Sequence, residues 1–398
     1  MNRRWLVLAV GLGAMTAGCA FQYGLAFLIP ALRADGLSLS EAGVLIVCPM
    51  AGLLIMLIVW GALADRFGER LVLSAGLAIA GAALLGAASA HGVVARGSFL
   101  VLAGAGGASV HAASGRLILG WFASHERGLA MGLRQTAQPL GVAVAAASLP
   151  ALAAHGLGSA FAALAAFCLV MAVLVVLLVR DPERPQAKAT ERTGSPYRTP
   201  VLWRIHLTSA LLVVPQFAVA TFAFVYLVEG RGWSVGTAGP VLAVTQVAGA
   251  LARIAVGVWS DRAGSRLRPL RTVALACGAV MVALAAGAYA GSGIAVAALL
   301  IASVITVTPN GLAYTAVAEY AGSGWAGRAL GAQNTLQNTF ALATPPLLSG
   351  VVSGSGYAAA FACAVAFPLA AATLVPVPAR IPLKTAYLNG SDPSGQQG

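Results

Sequence analysis

The chain has 398 residues, of which 59% are hydrophobic and 9% charged, with a mean hydropathy of +0.86. No water-soluble domain of this length carries that balance, so its solvent is a lipid bilayer. The net charge of +12 would suit a nucleic-acid binder, but the basic residues sit in short turns between apolar runs, a pattern of membrane topology that argues against nucleic acid as a partner.

A helix needs about 20 apolar residues to cross roughly 30 Å of hydrocarbon. In chain order the apolar runs predict twelve spans, over 5–29, 41–63, 71–90, 98–121, 129–152, 158–179, 206–228, 237–259, 270–290, 294–318, 329–352 and 355–375. The first run follows Arg3-Arg4 and continues through Ile29, too long for a cleaved leader, although Thr16-Ala17-Gly18-Cys19 resembles a loose cleavage site. In the tenth, Pro309-Asn310-Gly311 predicts a break or kink that frees carbonyls. The five cysteines, Cys19, Cys48, Cys168, Cys277 and Cys363, all lie in apolar runs without metal-ligand spacing and read as small packed hydrophobes.

Eighteen of the 24 Lys and Arg fall on the side that holds the N-terminus, and only Arg33, Arg96 and Arg231 fall in the opposite loops. That bias places both termini in the cytoplasm. The polar stretch between the sixth and seventh spans suits a flexible linker. The expected layout is an all-α membrane protein: a six-helix bundle over 1–180, a cytoplasmic linker over 181–205, a second six-helix bundle over 206–378 and a disordered tail over 379–398.

One ten-residue phrase occurs twice, 196 residues apart. Gly61-Ala-Leu-Ala-Asp65-Arg66-Phe-Gly68-Glu-Arg70 returns as Gly257-Val-Trp-Ser-Asp261-Arg262-Ala-Gly264-Ser-Arg266. Each copy links two apolar runs, and the topology puts both on the cytoplasmic side, as a parallel duplication requires. Gly61 and Gly257 allow close helix approach, Gly68 and Gly264 permit a tight turn, and an aspartate there suits an arginine or a helix N-terminus. These residues, with Arg116, are expected to form a conformational gate.

The duplicated phrase, the six-plus-six layout and the central linker resemble the major facilitator superfamily over essentially the whole chain. The resemblance implies alternating access, two bundles rocking about a site near mid-membrane. Gly115-Arg116, Trp121-Phe122 and Arg127-Gly-Leu-Ala-Met-Gly132 are similar to the branch that includes cyanate-permease-like and carboxylate transporters. Drug–proton antiporters of the superfamily carry a glycine-rich motif ending in Gly-Pro in the fifth helix; here Gln138 precedes Pro139 and Arg134 replaces a glycine.

Three arginines, Arg116, Arg134 and Arg253, lie inside predicted spans, whereas every Asp and Glu falls at a span end, in the linker or in the tail. An intramembrane arginine is costly and faces a partner or a watery cavity. The simplest absent partner is an anionic substrate. Arg253 has Leu57 as its counterpart in the first repeat, and the resemblance implies a carboxylate-binding role for it, because oxalate and monocarboxylate carriers place an arginine at the matching position of helix eight. Arg134 and Gln138, four apart, are expected to share a helix face while Gln135 points elsewhere. Further wall candidates are Gln22, Tyr23, Asn310, Tyr314 and Asn334, with Gln216, Gln246, Gln337 and Asn338 beside them, and His111 is the candidate proton carrier. No phosphate-binding loop or metal-ligand cluster is present, so no cofactor, metal or enzymatic activity is expected.

The sequence therefore predicts a monomeric secondary transporter of the bacterial inner membrane. Its partners are the bilayer and a small organic anion, moved by proton coupling or exchange. The alternative reading is a proton-driven drug or metabolite exporter.

Overall fold

A computed structural model describes residues 3–182, 195–322 and 324–377. The middle of the predicted linker, 183–194, and the tail over 379–398 lie outside these residues. The described residues form fourteen α-helices: α1 Arg3–Gly24, α2 Ile29–Ala34, α3 Leu39–Phe67, α4 Glu69–Ser89, α5 Val93–Trp121, α6 Arg127–Arg134, α7 Ala137–Ala153, α8 Leu157–Leu178, α9 Pro200–Val225, α10 Val235–Arg262, α11 Leu267–Tyr289, α12 Ile294–Ile305, α13 Pro309–Ala321 and α14 Ala326–Leu374. Taken with the short joints between them, they make eleven segments long and apolar enough to cross a membrane.

Local chemistry explains the helix boundaries. Ser38 and Glu41 form a reciprocal capping box that starts α3. Gly68, at φ 96°, turns the chain between α3 and α4, a conformation that favours glycine. Pro309 has no N–H to continue α12, so the predicted break in the tenth span separates α12 from α13. The 49-residue α14 covers the last two predicted spans and is interrupted at Gly356, whose φ of 80° and ψ of 175° are not helical.

Three expectations need correction. The fifth span is broken, because Gln135 and Thr136 form a turn between α6 and α7 just before Pro139. Arg96 belongs to α5, where it is buried, ion-paired with Asp35 at 3.2 Å and placed over the Phe161 ring, and so does not lie in an open loop. Cys363 is exposed, unlike the buried Cys19, Cys168 and Cys277.

Two apolar cores organise the molecule. One runs through α1–α5, α7 and α8, from Val7 to Val179, and one through α9–α12 and α14, including Met281, Leu299 and Phe361. Large apolar side chains such as Ile55, Leu177, Val247 and Leu347 face outward, as a lipid-facing surface requires. The halves meet at the end that carries the duplicated phrase, where Ile118, Phe122 and Met131 of the first half join Ile205, Val317 and Leu330 of the second in one cluster. The seams are lined by glycine. A Cβ on Gly61 would strike the Gly327 carbonyl oxygen, and one on Gly128 would strike that of Gly257, so these helices touch backbone to backbone.

Candidate functional site: a polar cavity above two latches

The duplicated phrases build two latches, one on each seam. Asp65 accepts hydrogen bonds from the backbone N–H groups of Gly327 at 2.9 Å and Arg328 at 3.1 Å, the first turn of α14. Asp261 accepts from Gly128 at 2.9 Å and Leu129 at 2.8 Å, the first turn of α6. Each aspartate thus caps a helix of the opposite half, where the unpaired N–H groups and the helix dipole favour an anion.

Cations complete both latches. Arg116 reaches Asp65 at 2.6 Å and Glu69 at 2.7 Å, and Arg328 lies 3.4 Å from Asp65. Arg116 therefore has two acidic partners: helices α3 and α4 start and stop so that both carboxylates tuck under its guanidinium, which corrects the sequence-based view that it lacks one. In the second latch Arg266 reaches Asp261 at 2.5 Å and Glu319 at 3.2 Å, and also donates to the Ser124 carbonyl. Of the remaining phrase residues, Arg70 donates to the Val176 carbonyl at 2.5 Å, Arg66 lies exposed over Phe67, Arg262 is exposed, and Gly264 turns at φ 58°. A further aspartate, Asp181, caps α4 through Glu69 N and Arg70 N, both at 2.8 Å.

Above the latches lies a small cavity of about 50 Å³ between the halves. By the measure in which one water needs roughly 10–15 Å³, it holds about four waters. Asn334 and Ala341 on its wall stand seven and fourteen residues into α14 from Gly327, so the cavity lies about 10–20 Å from the latch, at mid-depth.

Half of its lining residues are carboxamides. Tyr23, His111, Gln135 and Gln138 contribute from the first half, and Gln216, Asn310, Tyr314, Asn334, Gln337 and Asn338 from the second. The Tyr314 hydroxyl bonds to Asn334 Oδ1 at 2.5 Å and Gln337 Oε1 at 2.6 Å. Gln337 Nε2 donates to Ser209 and to Asn310 Oδ1, and Asn310 Nδ2 donates to Gln216 Oε1 at 3.0 Å. Tyr23 spans the halves to Asn338 Oδ1 at 3.3 Å.

Among the predicted wall residues, Tyr23, Gln138, Asn310, Tyr314, Asn334 and His111 line this cavity. Gln22 stands behind it, its Oε1 2.7 Å from His111 Nε2. Gln246 is exposed and away from it. Arg134 and Arg253 also lie off the wall. Arg134, 2% exposed, donates to Ser114 Oγ, Gln135 Oε1 and the His111 carbonyl at 2.8–3.0 Å, with its guanidinium 5.4 Å from the centre of the Tyr314 ring. Arg253, 7% exposed, donates to the carbonyls of Val307 and Gln135, each at 3.1 Å. Both cations meet only neutral acceptors; neither pairs with a carboxylate among the described residues.

Gln135 was expected to face away and instead reaches the cavity, because the break after Arg134 rotates its side chain off the continuous-helix position. A second duplication, passed over in the sequence, marks it. Gly128-Leu-Ala-Met-Gly-Leu-Arg-Gln-Thr-Ala-Gln138 and Gly327-Arg-Ala-Leu-Gly-Ala-Gln-Asn-Thr-Leu-Gln337 run in parallel, 199 residues apart. The structure repeats the parallel: Gly128 and Gly327 meet the two latching aspartates, and Gln135 with Gln138 faces Asn334 with Gln337 across the cavity.

Among the described residues there is no group of three or more His, Cys, Asp or Glu side chains placed to hold a metal ion. The profile described as "Major Facilitator Superfamily" matches residues 6–345. An uncharacterised MFS-type transporter of Mycobacterium tuberculosis is 46% identical over 381 residues, covering 95% of this chain and 86% of that protein. Solved structures share the fold at low identity: FucP in an outward conformation (TM-score 0.75, 16% identical, 95% of this chain and 100% of that one), a bacterial homologue of ferroportin in an outward-facing state (0.75, 15%, 94% and 98%) and the human organic anion transporter MFSD10 (0.70, 16%, 94% and 100%). The paired latches, the mid-depth cavity and a profile match over most of the length converge: the chain belongs to the major facilitator superfamily, and is a multi-pass membrane transporter for a small molecule, not an enzyme.

Proposed function

We propose that this protein moves a small organic anion, of carboxylate type, across the bacterial inner membrane. The observation that carries the reading is the pair of buried guanidiniums, Arg134 and Arg253, beside a neutral polar cavity, with no carboxylate partner for either among the described residues. Two uncompensated cations in a medium of low dielectric favour an anion in the adjacent space. Arg134 holds Gln135 by its oxygen at 2.8 Å, so the Gln135 NH₂ is left to donate to an anion's oxygen.

In this reading the chain crosses the membrane twelve times, α14 turning back at Gly356, with both termini and both latches on the cytoplasmic side. The two six-helix halves act as separate bundles joined by the linker, and one chain is the working unit. Latched phrases close the cytoplasmic end, and the cavity exchanges with the other side until the latches open. His111, on the wall and bonded to Gln22, is the candidate proton carrier in this reading. No observation favours the drug-export reading.

The test is thermal stabilisation of the purified protein in detergent across small monocarboxylates, dicarboxylates, inorganic anions and lipophilic cations. One anion class is expected to raise the melting midpoint, and Arg134→Gln to abolish the rise. Stabilisation by lipophilic cations alone would overturn the reading.

A further inference from the structure

We propose that Arg253 is a positioning residue: it clamps two broken helices together across the halves and so presents Gln135 to the cavity. This inference stands whatever the cavity carries. In an unbroken helix the carbonyl of Gln135 would accept from the N–H of residue 139. Residue 139 is proline and has none, so the break between α6 and α7 leaves that carbonyl without a helical partner. Arg253 Nη1, from α10 of the other half, supplies the missing donor at 3.1 Å.

The other arm of the same guanidinium donates through Nε to Val307, also at 3.1 Å. Val307 lies in the turn between α12 and α13, a helix break in the second half of the chain. A rigid fork thus joins one break in each half, a geometry that a guanidinium fits and a point-charge ammonium does not. The backbone follows the side chain, since a Cβ on Gly132 would come within 2.9 Å of the Arg253 carbonyl oxygen.

Gln135 is consequently held at two atoms, its backbone oxygen by Arg253 and its side-chain oxygen by Arg134. The symmetry-related seam lacks this device. Leu57 replaces Arg253 there and packs its backbone on Gly331, and the Asn334 amide is held by Tyr314 and the Leu330 carbonyl. Seams alike in their latches thus differ in the clamp: among the described residues an arginine ties a wall residue of the cavity to the facing helix at the α6–α10 seam, and none does so at the α3–α14 seam.

Hydrogen–deuterium exchange of the full-length protein in detergent, with no ligand added, tests the clamp. Arg253→Lys keeps the charge and loses the fork. It is expected to speed exchange about tenfold at amides within 132–138 and within 306–311. Pro139→Ala restores an N–H that competes for the Gln135 carbonyl, so Arg253 loses an acceptor without being touched. That substitution is expected to slow exchange in α7 and to speed it within 306–311, in the opposite half. A purely local role in the fifth span would alter α7 and leave 306–311 as it was. Wild-type protection of 306–311 in Pro139→Ala overturns the clamp, and this arm decides alone if Arg253→Lys does not fold.

Discussion

The two copies of the duplicated phrase do the same thing with different cations. Each places an aspartate on two backbone N–H groups at the start of a helix from the other half. Beyond that they diverge. In the first copy the balancing cation is Arg116, brought in by α5, and it holds a second acid, Glu69, while the phrase's own Arg70 turns away to the Val176 carbonyl. In the second copy the phrase's own Arg266 pairs with Asp261 and bridges to Glu319 on α13. The position matching Glu69 is the uncharged Ser265. The aspartate on the helix N-terminus is thus the fixed element, and the source of the positive charge is interchangeable.

That contrast predicts unequal costs. Arg116→Ala removes the cation shared by Asp65 and Glu69, whose side chains are only 2% and 1% exposed; Asp65 keeps its two backbone donors and Arg328, but Glu69 is left with no cation among the described residues, and stability should fall by about 3–5 kcal/mol. Arg266→Ala leaves Asp261 its two backbone donors and leaves Glu319 with Arg127 at 3.6 Å, so its loss should be smaller, about 1–3 kcal/mol. Melting midpoints of the two variants in one detergent check the order, and an equal drop breaks the comparison.

The glycine seams come next. An added methyl at Gly128 or Gly327 meets backbone oxygen on the facing helix, which cannot rotate away as a side chain can. Gly128→Ala and Gly327→Ala should each cost about 1–3 kcal/mol of the latched state, as overpacking does. Faster exchange in 127–138 for the first and in 326–337 for the second is the expected signature. A change confined to the far end of the helices would show that the seams are not where the halves part.

Much of this was legible in the sequence. Span length and the first repeat are one-dimensional signals of bilayer thickness and duplication, and the cavity's Tyr23, Gln138, Asn310, Tyr314 and Asn334 follow from scarce polar residues in apolar runs. What was not legible came from breaks and folding back. Reading 129–152 as one continuous helix turned Gln135 away and put Arg134 on the face of Gln138; a turn at Gln135–Thr136 reverses that. Counting charges by depth left Arg116 without a partner, because Asp65 and Glu69 stand at helix ends in the sequence but come together beneath α5 in space. The second repeat, over 128–138 and 327–337, was the available signal for Gln135, since its counterpart Asn334 was already a candidate.

The smallest expected effect is the most pointed test of the comparison. Arg70 and Arg266 occupy the same place in the duplicated phrase, and a purely sequence-based argument gives them one role. Arg70 is exposed and makes no ion pair among the described residues, only a bond to a carbonyl. Exposed single contacts of this kind contribute about 0.5 kcal/mol or less. Arg70→Ala should therefore leave the melting midpoint near that of the wild type, whereas Arg266→Ala lowers it. Should Arg70→Ala match Arg266→Ala, the latched state is not the one in which Arg70 works, and a second arrangement in which it reaches Asp65 must carry that stability.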